Sequence, residues 1–174
     1  MTKLLIVDDE QNVRYSLEKA LAGGDRQILT AATAGEAIEI VRREQPDAVL
    51  LDIRLPDMSG LDAFEEIHAI DSCLPVIMIT AHGTTETAIE ATKRGAFEYL
   101  LKPVDLGELR SVVTSAIELS RLSRVPTTFD QQKRSDADVD CIVGISPAMQ
   151  KVYKDIGRVA TQDVNVLVLG ESGT

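Results

Sequence analysis

From residue 3 to about residue 122 the chain alternates short apolar runs of strand length with longer amphipathic stretches, a pattern that leaves few folds open. The runs Leu4 to Val7, Ile28 to Ala31, Ala48 to Leu51, Val76 to Ile79 and Glu98 to Leu101 read as strands. Val13 to Leu21, Gly35 to Arg43, Gly60 to Ile70, Thr84 to Lys93 and Leu106 to Leu122 read as helices; Ala37, Ile40 and Val41, or Leu61, Phe64 and Ile67, show the helical spacing. Five strands alternating with five helices predict an α/β fold. Its sheet is doubly wound, five-stranded and parallel, with helices on both faces. Near-continuous apolar strands such as Ala48-Val49-Leu50-Leu51 fit a sheet covered on both sides.

Charge separates this first unit from the rest of the chain. Residues 1–122 hold 12 Lys and Arg against 21 Asp and Glu, whereas the remainder holds 6 against 7. Residues 123–138 are polar and without apolar period, the mark of a linker. From Val139 the composition is globular again: Ser146-Pro147 starts a helix, Met149 to Val159 continues it, and Val164 to Leu169 is an apolar strand running into Gly170-Glu171-Ser172-Gly173-Thr174. The expected organisation is therefore a unit at 1–122, a linker at 123–138 and an incomplete second unit at 139–174. A net charge of −10 and 3% aromatic residues with no Trp weigh against a phosphate-backbone grip or a base-stacking platform, so any DNA-facing element is expected elsewhere. Asp8-Asp9-Glu10 cuts the first apolar run below the length of a signal-peptide core, and no run approaches the length of a membrane span. A soluble, cytoplasmic chain with no membrane partner is expected. Cys73 and Cys141 lie 68 positions apart with no zinc-ligand spacing nearby and read as reduced thiols.

In a doubly wound sheet, sites form at the carboxyl ends of the strands. Four such ends here carry informative residues: Asp8-Asp9-Glu10, Asp52, Thr80, and Lys102-Pro103. Carboxylates about 4 to 5 Å apart repel by roughly 3 to 4 kcal/mol per pair at an effective dielectric of 20, so something cationic must compensate. Lys102 supplies one charge, and a hard, oxygen-seeking ion such as Mg²⁺ supplies two. Each residue alone has an ordinary explanation: an Asp as a cap or turn residue, Thr80 as a β-branched strand end, Lys102 as a surface cation. Their convergence in one topology is the signal. Asp57-Met58-Ser59-Gly60 reads as a turn with Gly60 available for positive φ, and His68 and His82 read as solvated side chains.

The motifs Leu4-Leu5-Ile6-Val7-Asp8-Asp9-Glu10, Leu50-Leu51-Asp52-Ile53-Arg54-Leu55-Pro56-Asp57-Met58-Ser59-Gly60, Ile79-Thr80-Ala81 and Tyr99-Leu100-Leu101-Lys102-Pro103 resemble the receiver domain of bacterial two-component response regulators, of flavodoxin-like fold. That resemblance implies that Asp52 accepts a phosphoryl group from a sensor histidine kinase. It further implies that Asp8, Asp9, Asp52 and the backbone carbonyl of Arg54 hold Mg²⁺, that Thr80 and Lys102 meet the phosphoryl oxygens, and that Tyr99 is a conformational switch. The Lys102-Pro103 peptide is expected to be cis on the same ground.

Val143 to Met149, with Val166 to Thr174, resembles the opening of the AAA+ ATPase domain of sigma-54-dependent, NtrC-like transcription activators. Gly170, Glu171, Ser172, Gly173 and Thr174 match the first five positions of a phosphate-binding loop, without its Lys, so no ATP binding by these residues alone is expected. The resemblance implies a response regulator rather than an enzyme, with sigma-54 RNA polymerase and DNA as partners of the full-length protein. A homodimer is expected as well. Leu109, Val112, Val113, Ala116, Leu119 and Leu122 form a stripe that overshoots one sheet face, and its distal part would pair in a short parallel coiled coil. A phosphatase of the haloacid dehalogenase type would carry an Asp-x-Asp nucleophile motif after the first strand, where this chain has adjacent Asp8 and Asp9. A stand-alone receiver acting as a phospho-dependent binding module is the other alternative.

Overall fold

The computed structural model describes residues 1–23, 25–81, 91 and 94–123. The chain falls into two compact units, Met1–Val143 and Gly144–Thr174, and every described residue belongs to the first. The linker, the helix and strand expected beyond it, and Gly170 to Thr174 lie outside the described residues. So does the helix expected over 84–93, except for Ala91, which is helical and buried.

Five parallel strands, β1 (Thr2–Val7), β2 (Arg26–Ala31), β3 (Ala48–Asp52), β4 (Val76–Thr80) and β5 (Glu98–Leu101), form one sheet in the order β2-β1-β3-β4-β5. Helices α1 (Gln11–Leu21), α2 (Ala34–Glu44), α3 (Gly60–Ile70) and α4 (Leu106–Ser123) provide the described crossovers and the final cover. Strand alternation explains the two layers. Leu5, Val7, Val49, Leu51, Val76 and Met78 point into a cluster with Ala37, Ile38, Val41, Phe64 and Ile67 of α2 and α3. Their neighbours Leu4, Ile6, Leu50 and Ile77 are as deeply buried on the other face, where α1 packs on β1 and α4 on β3. The two edge strands are less well covered: β2 is half-buried along most of its length, and β5 buries only Leu100 fully.

The stripe on α4 is used mainly at home: Leu109, Val113 and Ala116 are completely buried against the sheet, with Val112 and Leu119 half-buried. Arg110 Nε donates to the Ala20 carbonyl (3.0 Å) and Arg121 to Thr2 Oγ1 (2.6 Å), tying α4 to the end of α1 and the start of β1. The expectations for His68 and Cys73 differ from what is seen. His68 is half-buried and stacks on Phe64, with ring centroids 5.5 Å apart, because position 68 follows Phe64 by one helical turn. Cys73 is disulfide-bonded rather than reduced; Cys141 lies outside the described residues. Among the described residues, no helix is long and apolar enough to cross a membrane.

Candidate functional site

The strand order makes β1 and β3 neighbours with their outgoing chains leaving toward opposite faces, so a crevice opens at their carboxyl ends. Register decides what lines it. Val7 pairs with Leu51, which sets Asp8 beside Asp52; Asp52 pairs with Ile79, one step before Thr80; Thr80 pairs with Leu101, one step before Lys102.

Three of the expected residues are in direct contact. Lys102 Nζ donates to Asp8 Oδ2 and to Asp52 Oδ2, each at 2.5 Å. The remaining oxygens are also engaged: Asp8 Oδ1 accepts from the Glu10 amide (2.9 Å) and Asp52 Oδ1 from the Arg54 amide (3.0 Å). Asp8 is 2% exposed and Asp52 6%. Burial raises the Asp8 carboxyl above its ordinary range; the Lys102 ammonium and the Glu10 amide oppose that rise, and the Asp52 charge adds to it. Burial alone would pull the Lys102 ammonium down, but its bonds to Asp52 and Asp8 outweigh that and hold it above its ordinary value. The Lys102–Pro103 peptide is cis, as expected.

Asp9 and Glu10 are exposed at the rim, and carboxylate oxygens of Asp8, Asp9 and Glu10 all lie within 4.8 Å of one another. The donors gathered here are all oxygen, which suits a hard divalent cation and not a thiophilic one. Glu10 joins Asp8 and Asp9 in this group, whereas the expected ligands were Asp8, Asp9, Asp52 and the Arg54 carbonyl. A residue with no assigned role, Arg14, fixes the turn that carries them: its Nη1 donates to the carbonyls of Asp8 (2.5 Å) and Asp9 (2.9 Å). The sequence signal is an Arg just past the Asp-Asp-Glu run, at the first turn of the following helix.

Thr80 is completely buried at the end of β4, and its carbonyl accepts from the Lys102 amide (2.8 Å), so the β4 and β5 ends are held in step. Tyr99, on β5, packs against the α2–α3 core cluster; its hydroxyl is buried without a hydrogen-bond partner among the described residues, and burial raises its pKa. Arg54 begins a turn closed by an antiparallel bridge to Ser59 and by the Gly60 amide on the Ile53 carbonyl (2.7 Å). Gly60 is not in the positive-φ region, against expectation. A Cβ there would collide with the Asp52 carbonyl and lie 2.7 Å from Ile53 Cα, so glycine is required for close approach to the backbone of Asp52.

Because burial and the Asp52 charge disfavour ionised Asp8, neutralising it should stabilise the metal-free protein. With its folded pKa above the ordinary 3.8, Asp8 costs stability fully at pH above that folded value, and the cost vanishes as pH falls toward 3.8. Asp8→Asn is expected to raise metal-free stability at neutral pH by about 1 kcal/mol, an advantage that fades on acidification through the folded pKa. Urea titrations at several pH values check this; a variant less stable than wild type at neutral pH would refute the reading of Asp8 as a strained charge.

The family model of the response regulator receiver domain matches residues 4–114. Response regulator protein PilR of Pseudomonas aeruginosa is 40% identical over 172 residues, 99% of this chain and 37% of PilR. DNA-binding transcriptional regulator NtrC of Escherichia coli K12 is 37% identical over 169 residues, 97% of this chain and 35% of NtrC. The chain thus spans little more than a third of the length of these curated relatives. A response regulator receiver domain protein from Clostridium thermocellum has a crystal structure that superposes with a TM-score of 0.66 at 35% identity, covering 70% of this chain and 98% of that one. With the motif-bearing strand ends, the 2-1-3-4-5 sheet and the family match agreeing, the chain belongs to the response regulator receiver domain family.

Proposed function

We propose that Asp52 is the phosphoacceptor of a two-component system and that its phosphorylation by a sensor histidine kinase controls a sigma-54-dependent transcription activator. The single observation that carries this reading is the Asp8–Lys102–Asp52 contact at the carboxyl ends of β1, β3 and β5. In the reaction an Asp52 oxygen attacks phosphorus in line; the new O–P bond forms as the bond to the donor's leaving group breaks, and the leaving group departs with that electron pair. Lys102 then moves its hydrogen bond from the Asp52 carboxylate to a phosphoryl oxygen, and the Thr80 hydroxyl donates to another. Tyr99 responds to the movement of Thr80. Asp8, Asp9, Asp52 and the Arg54 carbonyl would hold Mg²⁺, which supplies charge neutralisation for the transferring group. The reaction consumes the chain's own side chain, so this is a switch and not a turnover catalyst.

The transcriptional role is supported by similarity to NtrC and PilR over 97% and 99% of the chain, which fits a receiver at 1–122, a linker at 123–138 and the start of a further domain at 139–174. On that reading the protein is cytoplasmic, Gly170 to Thr174 begin the phosphate-binding loop of an AAA+ domain, and sigma-54 RNA polymerase and DNA are engaged by the full-length protein. A homodimer through the distal part of α4, a short parallel coiled coil, would hold two output domains together.

Incubation with acetyl phosphate and Mg²⁺ is expected to add one phosphoryl mass to the intact chain, and excess chelator to prevent it. Intact-mass spectrometry reads both. A chain that stays unmodified with Mg²⁺ present, or is modified equally with chelator, would sink the proposal.

A further inference from the structure

The turn after β3 is pinned at its base by the Arg54–Ser59 bridge and the Gly60 amide. Leu55 and Met58, half-buried, rest on the core cluster on either side of its tip, and one side chain reaches out of the tip to hydrogen-bond another element. Asp57 Oδ1 accepts from the Ala34 amide (3.0 Å) and Oδ2 from the Gly35 amide (2.9 Å), the first two amides of α2, 23 and 22 residues away in sequence. These amides have no partner inside their own helix, and a carboxylate there is favoured by the helix dipole as well. The same two bonds hold the Asp57 carboxyl below its ordinary pKa.

Helix α2 has a start signal of its own. Thr33 Oγ1 accepts from the Glu36 amide (3.2 Å), and Glu36 Oε2 accepts from the Ala32 amide (2.8 Å), a reciprocal local cap. What Asp57 adds is therefore a tie between the two elements more than a beginning for the helix. The turn it holds carries Arg54, whose amide anchors Asp52 Oδ1 and whose carbonyl is one of the proposed metal ligands.

We propose that Asp57 is a positioning residue: by spanning the N-terminus of α2 it fixes the turn that presents the Asp52 carboxylate and the Arg54 carbonyl to the cation. This rests on the assignment of a divalent-cation site made above. Loss of the tie leaves the tip held only by the packing of Leu55 and Met58, and Arg54, three residues from Asp57, loses its fixed orientation while β3 and α2 stay folded.

The test compares Asp57→Ala with Thr33→Ala in the whole 174-residue chain, the second variant weakening the start of α2 from the other side. Calorimetric titration with Mg²⁺ is expected to show about a tenfold loss of affinity for Asp57→Ala, as for other residues that orient a ligand. Thr33→Ala should stay within about twofold of wild type, because it breaks no bond to the turn. Metal-free amide exchange gives a second readout: the Arg54 and Gly60 amides should exchange about tenfold faster in Asp57→Ala and be unaffected in Thr33→Ala. Should Asp57→Ala fail to fold, Asp57→Asn keeps one acceptor and is expected to fall between wild type and full loss in both measurements. Unchanged exchange at Arg54 and Gly60, unchanged affinity in a wild type that binds Mg²⁺, or equal effects from Thr33→Ala would overturn the proposal. A wild type that binds no Mg²⁺ strikes the cation site alone, and the exchange rates then decide the role of Asp57.

Discussion

Asp52→Asn is expected to fold and to take up no phosphoryl group from acetyl phosphate under conditions that modify the wild type. The amide has nearly the volume of the carboxylate but offers no anionic oxygen, so attack on phosphorus loses its nucleophile. Structure should survive for a specific reason. Lys102 keeps Asp8 as a partner, and the carbonyl oxygen of the substituted amide can still accept from the Arg54 amide, as Oδ1 of Asp52 does. The NH₂ group of the side chain then faces Lys102, an unfavourable contact of about 1 kcal/mol, but the repulsion between two buried carboxylates disappears at the same time. The melting temperature should accordingly stay within a few degrees of wild type. Intact-mass spectrometry and a thermal melt together separate lost chemistry from lost fold; a variant labelled at the wild-type rate would move the phosphoacceptor elsewhere.

The meeting of Asp8, Asp52, Thr80 and Lys102 at one edge of the sheet is legible in the sequence, and the reason is topological. Strand and helix periodicities identify which residues end strands, and a parallel sheet gathers strand ends on one edge, so these four have to converge. Strand bounds differ by no more than two residues: β1 and β2 each begin two residues earlier than their apolar runs, because Lys3 and Arg26 continue the extended backbone where periodicity shows nothing. Contacts between residues distant in sequence are what stays hidden. Asp57 is one of several acidic residues near turns, and only the packing of α2 beside α3 brings two unpaired amides to it. Gly60 invites the usual glycine argument of positive φ, whereas its requirement comes from the backbone of Asp52 passing directly above it. Arg14 bonds to carbonyls, and backbone acceptors leave no trace in a sequence pattern. The apolar stripe on α4 is legible as a stripe, but how much of it the parent sheet consumes depends on helix placement: Leu109, Val113 and Ala116 face inward completely, and Val112 only in part.

Lys102→Met should have the larger effect on stability. The ammonium is the cation between two carboxylates that are 2% and 6% exposed, and its removal leaves them facing each other with no neutralising charge. Breaking a buried ion pair from one side costs about 3 kcal/mol or more, well above the loss of two ordinary hydrogen bonds. Met has nearly the length of Lys and keeps the packing of the stem, so the loss reports charge and not volume. Two further measurements identify the cause. In wild type, the raised Lys102 pKa means its contribution is fully present below 10.5 and is lost only as pH rises through the higher folded value, so acidification from neutral pH leaves that contribution unchanged. In the variant, Asp8 loses the Lys102 ammonium that opposes the rise burial and the Asp52 charge cause in its pKa, so stability should recover on acidification from neutral pH as Asp8 takes a proton. Adding Mg²⁺ at neutral pH should recover stability as well, because a cation that binds only the folded site shifts the equilibrium in proportion to the logarithm of its concentration over its dissociation constant. Urea midpoints for both proteins, at neutral and acidic pH and with and without Mg²⁺, test all of this. A variant as stable as wild type at neutral pH, or one whose deficit ignores both protons and Mg²⁺, would show that Lys102 does not hold the acidic site together.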